Sequence, residues 1–393
     1  MKVKVFHRET IKPSSPTPQS LRSFKLSLMD QYGPVMYTPL VLFYPIITDQ
    51  QNNAIVAEDQ RSDHLRKTLS ETQTHFYPLA GRIRGISMSN ATMKELNLLK
   101  QESINCSLSK FLENPDPDML REFLAIGIES EEAETGSLLV VQATFFECGG
   151  MAIGLAISHK LTDAATLSVF LNTWASTGSL DGHQQVLAPE FGRYDFEAEK
   201  IEALRFKAAS ESVKNLTSVE AVSALLWKSA LQASRSNAAG VSGPSVFCQR
   251  VNIRPRVVPP LPGNIVGNLV GYFSAKMEGS ETHVDLRSLV AKLRKGMEAH
   301  EELKEYENLV KDEEIFNYCC SSWCRFRFYE ADLGWGKPTW VSIAGIEFKN
   351  TIVLMDSRDG SGIEAWLMLK EEDMVLVESN KELLAFASLN PRV

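Results

Sequence analysis

A histidine and an aspartate stand four positions apart in Ser158-His159-Lys160-Leu161-Thr162-Asp163-Ala164. The residues before them form an apolar, strand-like run, and those after them repeat at helical spacing. A junction of that kind can present an imidazole to a cleft and hold it from behind. Imidazole titrates near neutrality, which suits it to take a proton from a hydroxyl that attacks an activated acyl carbon. If both substrates share the site, such a transfer needs one histidine, with neither a metal nor a covalent intermediate. Asp163 also opens the helical pattern, where an aspartate can cap the first turn. Capping and holding the loop are compatible roles.

Two later segments carry candidate groups. Ser321-Ser322-Trp323 offers a hydroxyl and an indole N–H. In Asp332-Leu333-Gly334-Trp335-Gly336-Lys337-Pro338, glycines flank a tryptophan, a pattern of a tight structural turn.

The elements that must position these residues follow from periodicity and punctuation. Residues 35–44 read as a strand, and residues 64–79 as a helix ending near Pro78. Residues 138–146 and 151–158 read as a hairpin leading into His159. Beyond Asp163, Leu167, Phe170, Leu171 and Trp174 share one helical face. Residues 12–18 are extended, because prolines exclude helix there. Residues 178–192 are loop-like. Residues 198–209, 218–233 and 284–304 read as helices, and residues 247–253, 343–355 and 362–369 as strands. The mixture predicts two α/β domains with a groove between them, a favoured place for a ligand.

Bulk properties narrow the class. With 393 residues, 44% of them hydrophobic, the chain can build two cores. The net charge of −8 and the absence of a long basic run speak against a nucleic-acid surface. No apolar run is long enough for a membrane span, and residues 1–9 lack the apolar centre of a secretory signal. A cytoplasmic protein with six reduced cysteines is expected. None of these cysteines has a companion histidine at metal-ligand spacing, so no metal is expected.

The paired segments resemble the HxxxD and DFGWG signatures of the plant BAHD acyltransferases. Tyr77-Pro78-Leu79-Ala80-Gly81-Arg82 resembles that family's YPLAGR, and Val251-Asn252-Ile253-Arg254 its VNLR stretch. Residues 12–21, 145–150 and 321–325 resemble its alkaloid-acetylating branch. The resemblance implies a chloramphenicol-acetyltransferase-like α/β fold of two similar-sized mixed-sheet domains with a channel between them. The expected division is an N-terminal domain at 1–177, a linker at 178–195 and a C-terminal domain at 196–393.

The implied reaction moves an acyl group from an acyl-CoA co-substrate to a small-molecule alcohol, acetyl from acetyl-CoA onto an alkaloid hydroxyl above all. No cofactor is bound permanently, and a monomer is expected. By carry-over, His159 is the general base, and Asp163 turns away to pair with Arg254. Ser321 and Trp323 polarise the thioester carbonyl. Asp332, with Gly334, Trp335 and Gly336, supports the site structurally, Asp332 through a salt bridge. Arg327 is a candidate reader of a carboxylated donor such as malonyl-CoA. An aromatic acyl donor, an amine acceptor and a non-catalytic member of the fold are the alternatives. Two departures stand out: residues 83–90 match the family's pattern poorly, and the linker looks short.

Overall fold

The computed structural model describes residues 2–21, 23–46, 54–83, 88–90, 96–104, 107–113, 117–178, 193–211, 213–238, 243–298, 315–344 and 349–390. Among these the strands are β1 (Lys2–Ile11), β2 (Ser23–Lys25), β3 (Tyr37–Tyr44), β4 (Arg82–Ile83), β5 (Met88–Asn90), β6 (Leu96–Ile104), β7 (Leu139–Phe146) and β8 (Met151–Ser158). They continue with β9 (Arg193–Phe196), β10 (Ser245–Asn252), β11 (Val270–Met277), β12 (Phe316–Ser322), β13 (Trp340–Ser342), β14 (Thr351–Asp356), β15 (Ile363–Met368) and β16 (Ser388–Leu389).

Two large mixed sheets result. The first runs β1-β6-β7-β8-β3-β13, and the second β11-β10-β12-β14-β15-β9-β16. In the first, β3, β7 and β8 are buried at every residue, so they read as apolar runs rather than as alternating patterns. The expected hairpin is β7–β8, joined antiparallel from Leu139↔Ile157 to Phe145↔Met151. The helix Ala164–Gly178 follows, and Leu167, Phe170, Leu171 and Trp174 are all buried in the core of this sheet. It packs on the helix Ala54–His75, where the Trp174 indole N–H donates to Thr68 Oγ1 at 3.0 Å.

The second sheet carries its own core, built on the helices Ala198–Ala208, Ser218–Asn237 and Leu286–Glu298. Phe247, Tyr318, Cys320, Ile352, Leu354, Ala365 and Leu367 face these helices. Their neighbours along each strand therefore face the first sheet. Residues 179–192, most of the expected linker, lie outside the described residues, as do residues 299–304 of the expected 284–304 helix.

Sequence position and sheet membership part company in two places. Arg193–Phe196, expected to be linker up to residue 195, is already strand β9 of the second sheet. In the other direction, the chain returns to the first sheet late. β13 pairs with β3, Thr339 N–H donates to Phe43 O at 2.7 Å, and Trp340 stacks on Phe43 at 5.2 Å. Residues 343–355 are thus not one strand: the chain leaves one sheet after β13 and enters the other at β14. The poorly matching segment after Arg82 contributes β4 and β5, which pair in a small sheet with β2, while residues 84–87 lie outside the described residues.

Candidate active site

His159 directly follows β8, and four contacts immobilise it. Its backbone N–H donates to Met36 O at 2.9 Å. Gly33 lies so close that a Cβ there would stand 2.5 Å from His159 O, so the approach excludes any side chain. The Asn268 amide makes the other two contacts. Its Nδ2 donates to His159 O at 2.6 Å, and its Oδ1 lies 3.0 Å from His159 Nδ1.

This clamp sets the tautomer. Because Nδ2 must face the carbonyl, Oδ1 must face the ring, and an oxygen only accepts. Nδ1 therefore carries the proton, and Nε2 is left with its lone pair. Burial lowers the His159 pKa from 6.5, and the Arg250 cation adds to the effect against smaller opposing contributions from the local backbone, Asp163 and Asn268. The imidazole is neutral at pH 7 and able to accept a proton through Nε2.

Asp163 sits on the far side of the loop. Its carboxylate meets Arg254 in a two-pronged pair, with Nη1 to Oδ2 at 2.7 Å and Nη2 to Oδ1 at 3.2 Å. It also accepts from Thr166 N–H at 2.8 Å, capping the helix Ala164–Gly178, and from Leu269 N–H at 3.0 Å. Arg254 also donates to Ile265 O and Gly267 O at 2.9 to 3.0 Å, to Thr166 Oγ1 at 3.1 Å and to Asn252 Oδ1 at 3.2 Å. Both side chains are almost inaccessible, at 1% for Arg254 and 3% for Asp163. Holding the loop and capping the helix are thus one arrangement.

Ser321 lies near the end of β12, on the face of the second sheet that looks toward the first. One transverse row crosses this face: Tyr272 pairs with Arg250, Arg250 with Ser321, Ser321 with Val353 and Val353 with Trp366. The field of Arg250 at His159 ties this row to the imidazole. Trp323 packs into the first core, and its indole N–H donates to Ser321 Oγ at 3.1 Å. That bond engages the indole's one donor, so in this arrangement Trp323 bears on a carbonyl through Ser321. The serine proton remains for another acceptor. Arg327, a candidate carboxylate reader, is exposed.

The Asp332–Gly336 loop is closed by backbone amides on Asp332 and not by the expected salt bridge. Asp332 Oδ1 accepts from Gly334 N–H and Gly336 N–H, each at 2.9 Å, and among the described residues it makes no salt bridge. The two glycines have φ of 100° and 94°, a left-handed backbone that favours glycine. The loop docks on the first half: Trp335 meets Tyr44 edge-on at 6.0 Å, and the Tyr44 hydroxyl donates to Ala331 O at 2.9 Å. Leu333, in the place of the family's phenylalanine, is fully buried.

Asn268, Gly33 and Arg250 were not picked out from the sequence. Gly-Asn occurs twice nearby, at 263–264 and 267–268, and only the second reaches His159. No local signal separates the two. Among the described residues no cluster of histidine, cysteine or acidic groups could hold a metal, and no helix is long and apolar enough to cross a membrane.

Comparison with known proteins fits this geometry. A family model described as the transferase family matches residues 1–194 and 183–384. BAHD acyltransferase BIA1 of Arabidopsis thaliana is 34% identical across 100% of this chain and 99% of its own. That alignment extends over 443 residues, more than the chain contains, so gaps fall inside it. Stemmadenine O-acetyltransferase of Catharanthus roseus is 34% identical over 96% of each chain. The crystal structure of vinorine synthase superposes with a TM-score of 0.84 at 33% identity, covering 98% of this chain and 99% of that one. Similarity of this extent, over both mixed-sheet halves, places the chain in the BAHD family, and it is an acyltransferase.

Proposed function

We propose that the chain transfers an acyl group, acetyl in the first instance, from a coenzyme A thioester to a hydroxyl of a specialised metabolite such as an alkaloid. The observation that carries the reading is the His159–Asn268 clamp, which leaves a neutral imidazole with Nε2 unprotonated. His159 Nε2 takes the proton of the acceptor hydroxyl as its oxygen bonds to the thioester carbon. The carbonyl oxygen becomes an oxyanion, and the Ser321 hydroxyl, oriented by the Trp323 indole, donates to it. The oxyanion collapses, the carbon–sulfur bond breaks, and the imidazolium returns its proton to the departing thiolate. The products are an ester and free coenzyme A. Neutral His159 is regenerated, and no covalent enzyme intermediate is required.

The acetyl donor and the alcohol acceptor are supported by the similarity to stemmadenine O-acetyltransferase. Two orthogonal panels test the reading. Free thiol release is followed with acetyl-, malonyl- and aromatic acyl-CoA against alkaloid and terpenoid alcohols and amines. Turnover that requires both a donor and an alcohol, and that is lost in His159→Ala, is expected. Turnover undiminished in His159→Ala would remove the base assignment.

A further inference from the structure

The one-turn helix Leu28–Gln31 is closed by a capping box, in which Ser27 Oγ accepts from Asp30 N–H and Asp30 Oδ2 accepts from Ser27 N–H at 2.8 Å and Ser27 Oγ–H at 2.7 Å. A cap of this kind needs one carboxylate oxygen and works in water. Here Asp30 is 2% exposed, and its second carboxylate oxygen crosses to the other half of the molecule, where Oδ1 accepts from Asn268 N–H at 2.7 Å. A buried carboxylate is tolerated when its oxygens are satisfied, and all three contacts here come from donors.

The same turn touches the histidine loop directly. Gly33 lies against His159 O, and Lys160 Nζ donates to Gln31 O at 3.0 Å. Asp30 thus grips the backbone of Asn268, whose side chain grips His159 at both its carbonyl and its ring. The order of contacts is Ser27, Asp30, Asn268, His159, and it crosses between the halves twice.

We propose that Asp30 is a positioning residue for His159, acting through Asn268 to hold the imidazole in its Nδ1-protonated form. The proposal rests on His159 being the base for its effect on rate, but not for its effect on the ring. Without the Asp30 contact, the Asn268 backbone is free to shift, its amide no longer faces the ring squarely, and Nε2 can take the proton instead.

The test labels the protein with ¹⁵N-histidine and reads the His159 ring nitrogens, identified among the seven histidines by their loss in His159→Gln. Three variants are compared. Asp30→Ala removes the acceptor altogether. Asp30→Glu keeps a residue that capping boxes accept at this position but moves the oxygen that meets Asn268. Ser27→Ala weakens the cap and leaves the Asn268 bond in place. The expected result is a single Nδ1–H tautomer in the parent and in Ser27→Ala, and a mixture in the Asp30 variants. Turnover should fall about 100-fold in kcat in those variants, the scale of a misplacement of about 1 Å, with KM for the acyl-CoA little changed.

A single tautomer retained in either folded Asp30 variant overturns the proposal. So does a mixture in Ser27→Ala, which would make the cap itself the determinant and would be readable even if neither Asp30 variant folded. Because the tautomer is read without turnover, a mixture in the Asp30 variants with undiminished rate would instead remove His159 as the base and leave the positioning intact.

Discussion

Asp163 is the acidic residue nearest to His159 in sequence, yet its carboxylate faces Arg254, 91 residues away, with its closest oxygen 2.7 Å from the guanidinium. The pair joins the loop after β8 to the segment after β10. It therefore ties the two halves together behind the imidazole instead of orienting the ring by direct contact. Breaking such a pair strands a buried charge. Asp163→Ala is expected to lower the unfolding free energy by about 3–5 kcal/mol in urea denaturation. Neutralising both partners, as in Asp163→Asn with Arg254→Met, should recover part of that loss. Parental stability in Asp163→Ala would show that the pair contributes little.

The lowered pKa of His159 predicts the shape of the pH profile. The base is lost only as pH falls through the folded-state value, which lies below the ordinary 6.5. The acid limb of kcat/KM should therefore have its midpoint below 6.5. His159→Ala should lose about 10²–10⁴-fold in kcat, the range for a positioned base, while its melting remains cooperative. A midpoint above 6.5 would contradict the dominance of burial.

Asn268→Asp separates the two halves of the amide clamp. The carboxylate still accepts from Nδ1–H, but the donor to His159 O is lost. A negative charge beside the ring favours imidazolium and should move the acid limb upward by roughly one unit or more. Measuring kcat/KM from pH 5 to 9 in the variant and its parent reads this directly. An unmoved limb would mean that Asn268 does not control the imidazole.

Ser321 and Trp323 should act in series. Loss of a donor to a developing oxyanion costs about 10²–10³-fold in rate, and Ser321→Ala is expected to fall in that range. Trp323→Phe keeps most of the packing and loses only the N–H bond to Ser321 Oγ, so its effect should be smaller. Combined with Ser321→Ala it should add almost nothing to the loss. Effects that multiply in the double variant would assign the indole a separate contact with substrate.

Glu364 on β15 links stability to pH. Burial pushes its carboxyl up to about 7 despite the neighbouring Arg193, 3.5 Å away. Unfolded, the group ionises near 4.5. Between these values the folded state holds a proton that the unfolded state has released. Its contribution is complete below pH 4.5 and is lost as pH rises through 7. The difference is on the order of 3 kcal/mol. Denaturation at pH 5 and pH 8 should show the parent weakening more than Glu364→Gln, and equal pH dependence in the two would refute the shift.

Elements whose burial is uniform were easy to read. The β7–β8 hairpin and the Leu167, Phe170, Leu171, Trp174 face each announce their periodicity within about twenty residues. The strands that line the site are different. Val270–Met277 and Phe316–Ser322 place Tyr272, Ser274, Asn317 and Ser321 on an interior face, so a search for apolar runs passes over them. The helix Ala54–His75 begins ten residues before the expected residue 64, because its early turns lack a clear apolar stripe.

The sequence by itself determined the local chemistry: a histidine at a strand end, an aspartate placed to cap the following helix, a serine two residues before a tryptophan, and two glycines able to turn left-handed. These depend on short-range spacing, which the backbone geometry of strand, helix and turn dictates. Only the tertiary structure decided which groups meet. The bonds from Asn268 to His159 and to Asp30 span 109 and 238 residues, and β13 crosses back to pair with β3. Hydrogen bonds reach about 3 Å, so contacts between segments so far apart in the chain exist only once both sheets have packed. The proton on Nδ1, and with it the basicity of Nε2, belongs to that packing.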